Sequence, residues 1–313
     1  MAQFLKNNKM GRVIEIADRL AFISLHRGFM KVQIDKVLKS QIALSDIDIL
    51  ILNGTGATLS TNLLNELLEN GTIILVLGKN YAPSGIFYPT NPHYLHKQKI
   101  NLQIATTKPL NKRLWQTIVK AKITNQAKIL SFFTKTQEQQ LLLLAKKVTS
   151  GDPYNIEAQA AKKYWQKLFD KNFRRDYSNV GINSLLNYGY TILRSSASRA
   201  VFSCGLTPAI GIHHSNMENA FCLVDDLMEP YRPIVDFMVK KISQQTPQIS
   251  ELTADHKKIL SGVLQIEVTT ENNEKTSLAN SLIRLCQSFV DSLGQKKDLL
   301  ELPILPLEFE LEI

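Results

Sequence analysis

Residues 211–233 read GIHHSNMENAFCLVDDLMEPYRP. Two adjacent histidines, His213 and His214, are followed by two adjacent aspartates, Asp225 and Asp226, and then by Glu229. The aspartates sit inside an apolar run made of Phe221, Cys222, Leu223, Val224, Leu227 and Met228. Wound as a helix, that run puts Asp226 and Glu229 three apart on one face. Carboxylates on a helix that packs into a core are costly unless they are paired or bound to a cation. One reading is therefore a divalent-metal site, with His213 or His214 arriving from the preceding loop. The other is an amphipathic helix with solvated acids following a turn. The choice between them lies in the rest of the chain.

The chain has 313 residues, 44% of them hydrophobic and 21% charged, enough for one large or two medium globular domains. No apolar run is long enough to cross a membrane, and the N-terminus MAQFLKNNKMGRV lacks the apolar core of a signal peptide. Cys204, Cys222 and Cys286 are far apart and form neither a C-x-x-C pair nor a disulfide framework, so a reducing cytoplasm is the expected location. The net charge is +9, and the excess is local. Between Glu69 and Glu138 there is no acidic residue, while Lys97, Lys99, Lys108, Lys112, Arg113, Lys120, Lys122, Lys128 and Lys135 fall there. Solvated faces usually mix both signs, so a one-signed span suits a polyanion such as nucleic acid. An acidic partner protein or plain solubility is the alternative.

Residues 12–17, 20–26 and 29–34 are rich in Val, Ile and Phe and read as strands, with a turn at Arg27-Gly28. Residues 43–52 continue the pattern, and Asn53-Gly54-Thr55-Gly56 reads as a turn without the Gly-Lys-Ser/Thr of a phosphate loop. A helix over 61–69 and strands over 72–78 and 84–88 follow. From residue 93 to about 290 the signal turns helical, with helices expected in 113–133, at 139–148, from 155, at 181–203, 231–242, 251–268 and 277–291. The closing LLELPILPLEFELEI reads as a peripheral tail. The expected class is α+β: a small, mainly β domain over residues 1–90, then a larger all-α domain over 91–313.

In the helix from Asn155, Glu157 is followed by Ala160, Ala161, Tyr164 and Trp165, which share its face. An acid heading an aromatic, apolar face needs a cation, a proton or hydrogen bonds if it is buried. A glutamate favoured by the helix dipole is an equally good reading of Glu157 alone.

The segments GDPYNIEAQAAKKYW, GINSLLNYGYTILRSSASRAV, LTPAIGIHHSN and LVDDLMEPYRP occur in that order. Together they closely resemble the Cas1 family of CRISPR-associated integrases, most like members of type II systems. The resemblance implies a divalent-metal site of one glutamate, one histidine and one further acid. Glu157 matches the family glutamate, His214 the fourth residue of the Gly-x-x-His step, and Glu229 the acid of the D-x-x-E/D step. Asp226 stands at the neighbouring acid, an accessory of the site, whereas His213 and Asp225 carry no family role. Two carboxylates and an imidazole suit Mg²⁺ or Mn²⁺, and the absence of cysteine from these positions argues against structural zinc. Arg194, Arg199, Lys112, Arg113 and Lys120 are candidates to hold DNA backbone, with packing or ion pairing as the alternative for the arginines. Tyr164, Tyr188 and Tyr190 fit core packing better than base stacking.

The family resemblance implies joining of protospacer 3′-hydroxyl ends to CRISPR repeat DNA by a metal-dependent endonuclease and integrase. It also implies a homodimer formed through the N-terminal domain, assembly with the companion Cas2 protein in a heterohexamer across double-stranded protospacer DNA, and contact with the type II effector nuclease. A metal-dependent repair nuclease using the same residues and a non-catalytic DNA-binding scaffold are the competing classes.

Overall fold

The run Ile47-Asp-Ile-Leu-Ile-Leu52 has too little polar surface for an edge and belongs inside a sheet. A computed structural model describes residues 11–18, 20–53, 56–78, 81, 83–90, 95–246, 248–270 and 273–305. The chain divides into two compact units, Met1–Pro92 and His93–Ile313. In the first, strand β5 (Ile47–Leu52) lies between β1 (Arg12–Ile16) and β7 (Ile73–Leu77), parallel to both, and β8 (Pro83–Phe87) closes the edge antiparallel to β7. A second sheet has the order β4 (Val37–Ala43), β3 (Phe29–Ile34), β2 (Phe22–His26), β6 (Thr58–Leu59). Its inner residues Ile23, Met30 and Val32 join Leu50 and Ile74 of the first sheet in one core. Helix α1 (Thr61–Glu69) adds Leu63 and Leu67 to that core, and the Ser60 hydroxyl accepts the Leu63 N–H as its N-cap.

The expected single strand over 43–52 is two elements, because Leu44–Asp46 forms a 3₁₀ turn between β4 and β5. Strand β4 has no counterpart in the sequence reading, since its polar residues and exposed Val37 and Leu38 give no buried stripe. The turn expected at 53–56 lies partly outside the described residues.

The second unit is helical: α2 (His96–Ile104), α3 (Lys108–Thr134), α4 (Gln139–Lys147), α5 (Ile156–Leu168), α6 (Ile182–Ser203), α7 (Cys222–Met228), α8 (Arg232–Gln245), α9 (Ala254–Ser261) and α10 (Leu278–Gln295). At its centre α6 is buried nearly all round, which its small residues Ser195, Ser196, Ala197, Ser198 and Ala200 permit. Gly189 serves the same end: a Cβ there would stand 2.5 Å from Val235 Cγ1 of α8. The 27-residue α3, begun by Pro109 in its first turn, lays Leu114, Trp115, Ile118, Val119, Ile123 and Leu130 into the core.

Two expectations are corrected. Residues 251–268 are not one helix: α9 ends at Ser261, a 3₁₀ turn follows, and Glu267–Thr269 (β9) pairs with Lys275–Ser277 (β10). The β-branched Ile266, Val268, Thr269 and Thr270 favour extended backbone over a further helical turn. Nor is the final stretch peripheral as far as Leu305. Leu300, Leu302 and Leu305 are buried, and Ile304 bridges Thr269. Prolines keep this stretch out of a helix but leave Leu300, Leu302 and Leu305 free to pack. Residues 306–313 lie outside the described residues. Among the described residues no helix is long and apolar enough to cross a membrane.

Gly189→Ala should cost about 1–3 kcal/mol by overpacking against Val235. Adding Val235→Ala should give a double variant less destabilised in urea unfolding than the sum of the two single changes.

Candidate metal centre

Glu157 owes its place to the turn ahead of α5. Asp152 and Asn155 take positive φ values of 45° and 50°. The Asp152 carboxylate accepts the N–H groups of Ile156 and Glu157, both at 2.9 Å, and the Asn155 side chain accepts that of Ala158. The first turn of α5 is thus fixed by its own caps. Ala160 and Tyr164 below Glu157 are fully buried.

The histidine loop is organised by Asp226, a carboxylate with no exposed surface. Its Oδ2 accepts the N–H groups of Ile212 and His213 at 2.6 and 2.9 Å, and its Oδ1 accepts that of His214 at 3.3 Å. Oδ1 also meets His214 Nδ1 at 2.5 Å. An ionised carboxylate only accepts, so Nδ1 carries a proton, and in the neutral ring Nε2 keeps its lone pair. That hydrogen bond raises the His214 pKa above the ordinary histidine value, partly offset by burial. Gly211 is needed here because a Cβ would press on the His214 carbonyl oxygen and stand 2.9 Å from Asp226 Oδ2. His213 faces elsewhere and stacks on Trp115, with ring centroids 4.2 Å apart and planes 2° from parallel.

Pro230 breaks the helix after Met228, and Glu229–Tyr231 forms a 3₁₀ turn before α8 begins. Glu229, 6% exposed, lies at that junction. Its Oε1 pairs with Arg232 Nε at 2.9 Å and its Oε2 lies 2.5 Å from Lys122 Nζ of α3. Lys122 Nζ is also 2.5 Å from Glu157 Oε1, to which it donates a hydrogen bond. Oε2 of Glu229 has no hydrogen bond of good geometry. Burial alone would push the Glu229 pKa up, but Arg232 and Lys122 outweigh it and hold the group below the usual glutamate value. Burial likewise opposes the Lys122 charge, and Glu229 and Glu157 more than restore it.

These groups open on a cleft of about 270 Å³ lined by Lys122, His214, Glu229, Arg232, Arg175, Tyr190 and Asp236. Asp236 is buried and accepts hydrogen bonds from Tyr164, at 3.0 Å, and from Tyr190. Burial pushes its pKa up to about 7, with the two phenols limiting the rise. Arg175 is held by Asn183 and Asn187 of α6 at 3.0 and 2.6 Å.

A metal ion fits the donor set. Two carboxylates converge on one cation position, that of Lys122 Nζ, and one of them has a buried oxygen without a hydrogen bond. The imidazole nitrogen left by Asp226 belongs to the same cleft. Among the described residues no three His, Cys, Asp or Glu side chains are drawn tightly enough to share one ion, and the Lys122 ammonium stands between the two glutamates.

Of the DNA-contact candidates, Lys112 and Arg113 are exposed at the start of α3 and Lys120 is half-buried. Arg199 is half-buried on α6. Arg194 is engaged by Asp225 in two hydrogen bonds of 2.7 and 2.8 Å and by Asn219, so it ties α6 to the first turn of α7 and the loop before it. Tyr164, Tyr188 and Tyr190 are buried, in line with core packing, although Tyr190 also lines the cleft. Lys122 was missed as a site residue, as were Arg232 and Asp236. A signal for Lys122 existed: it lies three, four and seven residues beyond Val119, Ile118 and Trp115, in phase with the buried face of α3.

The family profile of CRISPR associated protein Cas1 matches residues 15–267. The CRISPR-associated endonuclease Cas1 of Neisseria meningitidis serogroup C is 34% identical over 270 residues, covering 85% of this chain and 88% of its own. Among solved structures, a casposase bound to integration product superposes with a TM-score of 0.78 at 19% identity, over 96% of this chain and 94% of its own. A Cas6-RT-Cas1–Cas2 complex gives 0.75 at 19% identity, over 95% of this chain and 36% of its own. The two structural likenesses show a shared fold, and the family profile with the Neisseria relative settles the lineage: the chain belongs to the Cas1 family of CRISPR-associated proteins.

Proposed function

We propose that this chain is a metal-dependent DNA endonuclease and integrase of CRISPR adaptation, which joins protospacer 3′-hydroxyl ends to CRISPR repeat DNA. The observation that carries this reading is the convergence of Glu157 and Glu229 on one cation position beside a histidine whose ring is fixed by Asp226. Glu157, Glu229 and His214 Nε2 would hold Mg²⁺ or Mn²⁺, two carboxylates and an imidazole being donors both ions accept. The ion would supply Lewis-acid polarisation of the scissile phosphate and neutralise charge on the attacking and leaving oxygens. In the joining reaction the protospacer 3′-oxygen forms a new bond to phosphorus and the repeat strand's bond to its own 3′-oxygen breaks. The attacking hydroxyl gives up its proton and the released 3′-oxygen gains one, so phosphodiesters are exchanged without net hydrolysis. Water as attacker turns the same site into an endonuclease.

Each supporting residue has a part in this reading. Asp226 keeps His214 in the tautomer that presents Nε2. Arg232 pairs with one oxygen of Glu229 and leaves the other beside Lys122. Lys112 and Arg113, exposed on α3, would take backbone phosphates without reading sequence. The unit over residues 1–90 would dimerise and that over 91–313 carry the chemistry. The companion Cas2 protein and, in a type II system, the effector nuclease are the expected partners.

Incubation with the companion protein, Mn²⁺, a short duplex with 3′ overhangs and a repeat-bearing plasmid should give joined strands. Glu157→Ala, His214→Ala and Glu229→Ala should each abolish joining while circular dichroism stays native. Full activity in the first two would remove the site assignment, and shortened strands alone would favour a plain nuclease. Asp226→Asn should weaken Mn²⁺ binding about 10- to 100-fold in calorimetry. His213→Ala should keep joining and lose only its stack on Trp115, about 0.5–1.5 kcal/mol in unfolding. Replacing Lys112 and Arg113 together with Gln should flatten the plot of log affinity for duplex DNA against log salt by about 1.8. An unchanged slope would take both residues off the DNA path.

A further inference from the structure

Among the described residues, Lys122 is the one cation that touches both glutamates of the proposed site. Its Nζ stands 2.5 Å from Glu157 Oε1 and 2.5 Å from Glu229 Oε2, with 12% of its side chain exposed. A divalent ion bound by those same oxygens would sit about 2.0–2.6 Å from each. Its position would then nearly coincide with that of the ammonium. Two cations that close in a poorly solvated cleft repel strongly. Occupancy by one therefore requires withdrawal of the other. Lysine suits this role better than arginine: its charge is a point at the end of a flexible stem, with no planar fork locked onto a carboxylate. Arg232, by contrast, grips the other oxygen of Glu229 and lies outside the shared position. Lys122, on α3, lines the cleft together with Gln126.

We infer that Lys122 is an exchangeable counter-ion, which holds Glu157 and Glu229 in register as an ion triad and is displaced when a divalent cation takes the two carboxylates. This rests on the assignment of Glu157 and Glu229 as ligands. It has two consequences of opposite sign. Without the ammonium, two carboxylates lose their shared partner and the protein free of divalent ions becomes less stable. The same loss removes the competitor, so a divalent ion binds more tightly. A pair closed by the ammonium nine-tenths of the time would have its apparent metal affinity lowered about tenfold. A residue that merely supported the fold would move metal affinity the other way or leave it alone.

The test uses the full chain, with Mn²⁺ titrated by calorimetry and by the loss of the free-ion electron paramagnetic resonance signal, and thermal unfolding in chelator. Lys122→Met should bind Mn²⁺ roughly tenfold more tightly than the native protein and unfold at lower temperature in chelator, with a larger rise in midpoint on adding Mn²⁺. Lys122→Arg, which keeps a cation between the glutamates and can lock onto a carboxylate, should bind Mn²⁺ no more tightly than the native protein and serves if the methionine variant does not fold, a neutral Lys122→Gln then being compared with it. Unchanged or weaker Mn²⁺ affinity in the folded neutral variants overturns the inference. The ligand assignment is tested separately by Glu229→Gln in the native background. If that change leaves Mn²⁺ affinity intact, the assignment falls and the exchange falls with it. If affinity depends on Glu229 but not on Lys122, the exchange alone is wrong.

Discussion

A carboxylate buried at a helix junction sets the terms for the second unit. Glu229 is 6% exposed, at the point where Pro230 interrupts the helical ladder. Left alone there it would take up a proton; flanked by Arg232 and Lys122 it stays an anion. That requirement reaches well beyond the three residues. Lys122 has to come from α3, which places that helix beside the junction. Glu157 shares the Lys122 ammonium, which places the start of α5 there as well. The apolar faces of α3 and α5 supply the free energy of packing, and the charge cluster joins both helices to the junction at one point.

Asp226 does for the loop what Lys122 does for the helices. One carboxylate gathers three backbone N–H groups and an imidazole, so a segment without regular structure is held as firmly as a turn of helix. Adjacent duplicated residues thereby acquire different duties. His214 is turned into the cleft by its bond to Asp226, while His213 lies flat on Trp115. Asp225 looks the other way and binds Arg194. Precision of this kind at a reacting centre comes from the supporting contacts more than from the ligand types themselves.

Much of the fold was legible because its elements have strong periods: the β-rich beginning, α1, and the long helices of the second unit follow from alternation and from three- and four-residue spacing. What escaped had weak or mixed local signals. Strand β4 exposes its apolar residues, and the β9–β10 hairpin and the packed Leu300–Leu305 stretch are short segments whose state is decided by distant partners. In the site, ligand-type residues at Glu157, His214 and Glu229 could be picked out, and so could the closeness of Asp226. Their common geometry could not, since α3, α5 and the 211–231 segment meet only in three dimensions. Lys122 was hidden by its surroundings in sequence. Amid a long run of lysines it reads as one more solvent-facing charge, and only its phase on α3 separates it from Lys120 and Lys128.

Asn125, one turn of α3 beyond Lys122 and also buried, donates from its side-chain amide to the carbonyl oxygen of Pro230 at 2.9 Å and to that of Pro303 at 3.4 Å. The peptide next to Glu229 is thus keyed, through one amide, to a stretch more than seventy residues later in the chain. During synthesis, the first acceptor emerges long before the second. The amide that keys the peptide after the buried glutamate therefore completes its own hydrogen bonding only once residue 303 has been made, which couples the junction to a stretch of chain far from it in sequence.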